Sequence, residues 1–111
     1  MATAYAYKIL GQSAPSATTE TALYTVPGST QAIVSTIIVC NRGGTATTFR
    51  IYFAPAGAGT SNAMYTHYDV GISANDTFIV TAGMTMATTD VLRIYAGNGN
   101  LSFTAMGTEF S

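Results

Sequence analysis

Apolar residues in this chain recur at every second position within short segments, and that period restricts the fold to antiparallel β-structure. Phe49, Ile51 and Phe53 share one side of their segment, with Arg50 and Tyr52 on the other. Leu92 and Ile94 alternate with Val91, Arg93 and Tyr95, and Leu101, Phe103 and Ala105 alternate with Ser102, Thr104 and Met106. A half-buried strand reads this way, one face on a core and one face away from it. No segment carries a helical repeat; Met84 to Thr89 has room for a single turn at most.

Eight such segments are expected as strands: Tyr5 to Leu10, Ala22 to Val26, Ala32 to Asn41, Thr47 to Ala54, Ala63 to Val70, Thr77 to Thr81, Val91 to Ala96 and Leu101 to Glu109. Thr, Val, Ile, Tyr and Phe, the types that fit a pleated surface, dominate them. Turn-forming clusters separate them: Pro27-Gly28, Asn41 to Gly44, Pro55 to Gly59, Ala74-Asn75-Asp76 and Gly97 to Asn100. The fold class is therefore all-β, an antiparallel β-sandwich of about eight strands, Ig-like or jelly-roll-like. One domain suffices for this length. Residues 1–21, rich in Ala, Ser and Thr, read as an N-terminal arm or edge strand, and 22–111 as the sandwich. The expected core comprises Val34, Ile37, Val39, Phe49, Ile51, Phe53, Phe78, Leu92, Ile94, Leu101 and Phe103.

Charge decides what the surface can do. Only 8 % of residues are charged, against about 25 % in an average protein. Solubility as a monomer normally rests on Lys, Arg, Glu and Asp, so a surface of Thr, Ala and Tyr suits burial against neighbouring subunits. No Lys/Arg cluster exists to displace counterions from phosphates or to sit on an anionic membrane, so neither nucleic acid nor membrane is an expected partner. The longest apolar run, Ile37 to Cys40, is far below a membrane span, and the N-terminus lacks the charged and apolar regions of a signal peptide. Ile38, Arg50, Tyr52, Arg93, Tyr95 and Met106 point away from the core set, and Tyr, Met and Arg are enriched at interfaces. These six residues form the candidate interface.

The residues for catalysis or cofactor binding are sparse. His67 is the single histidine, and Asp69, two residues on, is expected on the same face of its strand. No G-x-S-x-G turn accompanies them. The five acids are scattered; Asp76 and Asp90 stand where carboxylates cap turns. One Cys and one His do not make a metal site, so no cofactor or metal is expected and the chain reads as non-enzymatic. Cys40, in the densest apolar run, is expected to be a buried, reduced thiol.

Several blocks, in their order, carry a resemblance. They are Tyr7 to Gln12, Leu23 to Pro27, Val39 to Gly43, Thr48 to Ile51, Tyr68-Asp69-Val70, Ala74 to Thr77, Thr89-Asp90-Val91, Leu101 to Thr104 and Gly107-Thr108-Glu109. With them the chain resembles small tailed-phage virion proteins, familiar from cyanophages. The resemblance implies a structural protein of the virion, made in the host cytoplasm, with no catalytic residue to carry over. The place on the particle stays open among capsid cement, neck, baseplate and fibre. The implied partners are the chain itself, as a homo-oligomer such as a trimer, and a major capsid or tail/neck protein. The alternative is a receptor- or glycan-binding module of a tail fibre or baseplate, with Tyr52, Tyr65, Tyr68 and Tyr95 available to stack on sugars.

Overall fold

The computed structural model describes residues 5–111. Its elements are β1 (Tyr5–Ser13), β2 (Thr21–Thr25), β3 (Gln31–Asn41), β4 (Thr47–Ala54), β5 (Tyr65–Ile72), β6 (Thr77–Met86), β7 (Val91–Ala96) and β8 (Leu101–Phe110). Two single turns of 3-10 helix, Pro55–Gly57 and Asn62–Met64, lie between β4 and β5. The strands form two four-stranded antiparallel sheets, in the orders β1-β8-β3-β6 and β2-β7-β4-β5. The all-β sandwich expected from the period-two pattern is the observed fold. Strand pairs 1–8, 2–7, 3–6 and 4–5 are nested hairpin arms rolled over one another, which is jelly-roll topology rather than an Ig-like one.

The inner faces of both sheets meet in one apolar cluster. Val34, Ile37, Val39, Phe49, Ile51, Leu92, Ile94, Leu101 and Phe103 are buried there as expected, joined by Val26, Met86 and Ala105. Phe49 packs edge-on against Phe78 and Phe103, at centroid distances of 5.3 and 6.3 Å. Phe53 and Phe78 are only partly buried, because they lie where β5 and β6 leave the sandwich open. The buried polar residue Asn41 organises the turn after β3: Nδ2 donates to the Thr45 and Ser73 carbonyls and Oδ1 accepts from the Gly43 N–H.

β2, β3 and β8 differ from the expected bounds by single residues, while β1, β5 and β6, each of them bulged, differ by two or more. β1 runs on to Ser13 because Leu10 is an extra residue between the pairs Ile9–Met106 and Gly11–Ala105. β6 runs on to Met86 instead of ending at Thr81, so the single helical turn allowed at Met84 to Thr89 does not form. Gly83, at φ 59°, supplies the left-handed residue that lets the strand shift phase between Thr81 and Met84 and resume its pairing with β3. β5 begins and ends two residues later than expected, at Tyr65 and Ile72, and is itself bulged. Within residues 1–21, Tyr5–Ser13 is the edge strand paired to β8; residues 1–4 of the expected arm lie outside the described residues.

Gly107 stands where β1, β8 and β3 meet, opposite both Lys8 and Val34, and a Cβ there would lie 1.9 Å from the Ile33 carbonyl oxygen. Gly107→Ala is therefore expected to destabilise the sheet. Phe49→Ala removes the ring around which both sheets pack and is expected to cost about 3–5 kcal/mol. Denaturant unfolding followed by circular dichroism measures both. A Phe49→Ala loss well below about 1 kcal/mol would contradict this placement of the core.

Candidate interaction faces

The six candidate interface residues do not form one surface. Antiparallel partners share a face, and the registers place Ile38 and Met106 on the outside of the β1-β8-β3-β6 sheet. Arg50, Tyr52, Arg93 and Tyr95 lie on the outside of the other sheet, where Arg50 stands opposite Tyr95 and Tyr52 opposite Arg93. Alternation told inner from outer but not which sheet a strand joins, and the core separates the two groups.

The first outer face can be read in rows across the sheet: Tyr7, Thr108, Ile33, Thr85; then Ile9, Met106, Thr36, Thr81; then Gln12, Thr104, Ile38, Ile79. None of these twelve side chains is charged. Tyr7 is 83 % exposed, Ile79 63 % and Ile9 55 %. Sequence reading passed over Tyr7, Ile9 and Ile79, although each alternates with residues of the opposite face. Cys40 belongs to this face too, opposite Thr77 and Ser102. It is half-buried rather than buried, because Val39 takes the inward position in β3.

The second outer face carries a fixed network. Arg50 donates from Nε to Asp69 Oδ1 at 2.7 Å, and its guanidinium lies 4.2 Å from the Tyr68 ring centroid and 4.4 Å from that of Tyr95. Hydrogen bonding to Asp69 pushes the Arg50 pKa further up. Tyr65 meets Tyr68 edge-on at 4.8 Å and Tyr52 at 4.9 Å. Arg93 donates to the carbonyls of Ala58 and Gly57, at 2.7 and 3.1 Å, and so ties down the β4–β5 connection. Tyr52, expected to be available to a partner, is fully buried by its own chain beneath Tyr65 and that connection. Its hydroxyl is enclosed beside Glu20 without a hydrogen bond of standard geometry. Burial first, and Glu20 second, push its pKa up.

Every charged side chain of the sequence is engaged within the chain. Lys8 pairs with Glu109 at 2.7 Å, and Glu109 also accepts from the Tyr24 hydroxyl. Arg42 donates to the Gly99 carbonyl. Glu20 accepts from Thr60. Asp76 accepts from the Thr77 N–H, and Asp90 accepts from the N–H groups of Ala56 and Ala87, the turn-capping roles expected of both. His67 and Asp69 do not share a face. Asp69, at φ 50°, is the bulged residue of β5 and turns outward to Arg50, while His67 turns inward between Phe49 and Phe78. His67 lines, with Thr66, Phe53, Phe78 and Met84, a cavity of about 350 Å³ at the open side of the sandwich. Among the described residues no group of three or more His, Cys, Asp or Glu side chains is placed to hold a metal ion, and no helix is long and apolar enough to cross a membrane.

No family model and no curated protein matches the chain. Among solved structures it is similar to a chain in the structure of the infectious bursal disease virus Gx strain, with a TM-score of 0.53 and 11 % sequence identity. The likeness covers 97 % of this chain and 31 % of that one. At that identity it is a likeness of fold.

Two outcomes follow from these environments. Burial holds the His67 pKa below its ordinary 6.5, so its contribution to stability is present above 6.5 and is lost as pH falls through the folded value. Lys8 and then Tyr24 hold Glu109 below the ordinary 4.5, adding a second loss at more acid pH. Thermal melts are expected to decline in two stages below about pH 7, and His67→Leu should remove the first stage only. Tyr52→Phe, which deletes the unsatisfied hydroxyl, is expected to be neutral or stabilising by up to about 1 kcal/mol in denaturant unfolding.

Proposed function

We propose that this chain is a non-enzymatic structural subunit of a virus particle that assembles through the outer face of its β1-β8-β3-β6 sheet. The observation that carries this reading is the distribution of charge: all nine charged side chains bind within the chain, and none projects from that face. Tyr5, Tyr7, Ile9 and Ile79, each more than half exposed, lie on it. A four-stranded face about 20 Å wide and about 30 Å long offers on the order of 600 Å² in plan, before side-chain relief is counted. A stable interface needs roughly 800 Å² per partner. The fold likeness to a chain of a virus structure agrees with this reading, as does the use of jelly rolls in viral shells.

The finer proposal follows the resemblance to tailed-phage virion proteins. The subunit decorates or cements a capsid, or joins neck and tail, as a closed homo-oligomer with threefold symmetry and in contact with a larger particle protein. Ions at such a contact are few, so assembly should depend little on salt.

Light scattering on the purified protein, alone and with its particle neighbours, is the test. The wild-type chain is expected to form a defined oligomer or to bind a particle protein. Ile79→Glu or Met106→Glu should abolish this association without lowering the melting temperature. Tyr68→Ser, on the other sheet, should leave it intact. A stable monomer that ignores every particle protein would overturn the proposal.

A further inference from the structure

We propose that the shallow hollow formed by Asn62, Tyr65 and Tyr68 binds a neutral pyranose saccharide. This site lies on the sheet opposite the proposed assembly face and goes beyond that function. The hollow is open to solvent, with about 380 Å³ of space above its three lining residues, so a guest would rest on it with one side in water. Tyr65 and Tyr68 stand at 87° to one another with centroids 4.8 Å apart, so their rings make two walls of a corner. The exposed Asn62, in the short 3-10 turn ahead of β5, is the third residue lining the hollow.

A pyranose is amphipathic in the same sense as this corner. Its axial C–H face packs on an aromatic ring, and its equatorial hydroxyls need planar groups that both donate and accept, which an Asn side-chain amide supplies. Tyr68 is 57 % exposed yet held in place. One side packs on the Arg50 guanidinium at 4.2 Å, and its backbone precedes the bulge at Asp69, whose carboxylate takes Arg50 at 2.7 and 3.4 Å. A ring fixed before binding loses little conformational entropy on meeting a ligand. The same ion pair sets the class of sugar. Asp69 pairs with Arg50, the cation stacked on Tyr68, so a carboxylated or sulfated saccharide would find that guanidinium already neutralised. A hydrophobic guest would stay half in water in so open a hollow, whereas a sugar keeps its outer hydroxyls solvated.

The test is saturation-transfer NMR and titration of the full chain with methyl glycosides of glucose, galactose, mannose and N-acetylglucosamine, alongside sialyl and glucuronyl glycosides. At least one neutral glycoside is expected to saturate, with a dissociation constant on the order of 1 mM. Tyr68→Ala and Asn62→Ala should each weaken it by about tenfold or more. Tyr68→Phe, which keeps the ring, should retain binding, and Tyr7→Ala on the opposite sheet should not change it. Melting curves confirm that each variant is folded. Absence of binding by every neutral glycoside, binding confined to acidic glycosides, or binding unchanged in both Tyr68→Ala and Asn62→Ala would each overturn the proposal. None of these results bears on light scattering, so this site and the assembly face fail or stand separately.

Discussion

Ile37, Val39 and Asn41 of β3 stand opposite Ala105, Phe103 and Leu101 of β8, and this ladder joins the two halves of the chain in the middle of one sheet. Its outer neighbours, β1 and β6, have no other strand to pair with in that sheet. The inward side chains of the ladder also form the floor on which Phe49, Ile51, Leu92 and Ile94 of the second sheet rest. β8 pairs with β1 and β3, both far from it along the chain, so the central pairings of this sheet are distant in sequence. A topology of this kind folds slowly compared with a helical bundle, because loop closure precedes the contacts that compensate for it.

Scarce charge is the second constraint, and its placement is what distinguishes the two outer faces. A chain with nine charged groups can spread them over its surface for solubility or use them to fasten its own loops. Here Asp76 and Asp90 hold turns, Arg93 and Glu20 secure the β4–β5 connection, and Lys8–Glu109 clamps the far end of β1. The face left without charge is a flat sheet of Thr, Ile and Tyr, whose desolvation on contact with another protein requires no buried ion. The opposite sheet keeps Arg50 and Arg93, but each is already bonded within the chain.

Much of this was legible in the sequence, and the parts that were not have common causes. Strand order along the chain, turn positions and the inward set of β3, β4, β7 and β8 follow from alternation and from Gly, Asn and Pro clusters. Alternation fails at a bulge, since one extra residue reverses the phase: Leu10 in β1, Gly83 in β6 and Asp69 in β5 each did so. The Asp69 bulge is also why His67 and Asp69 part company. The candidate interface was a mixed case. Arg50 and Tyr95 do adjoin, but Ile38 and Met106 belong to the other sheet, because a face label carries no sheet label before the strand order is known. Tyr52 illustrates a further limit: it points outward as read, yet is covered by Tyr65 and the β4–β5 connection, and no local pattern announces such a lid.

The two sides of the sandwich are closed in different ways, and this bears on which of its surfaces another chain could pair with. On the β1–β2 side the sheets approach closely: a Cβ at Gly11 would lie 2.1 Å from the Leu23 carbonyl oxygen. On the β5–β6 side they diverge, leaving the cavity between Phe53, Phe78 and Met84. Free strand edges of this kind invite pairing with another chain. Yet β5 is interrupted by two bulges against β4, and β6 by one against β3, so neither presents a long flat row of backbone donors and acceptors. An edge irregular in this way resists continuous sheet extension, which would give open polymers. The flat faces remain, and under the proposed function closed assembly proceeds through the uncharged one while the tyrosine corner on the other stays open to solvent.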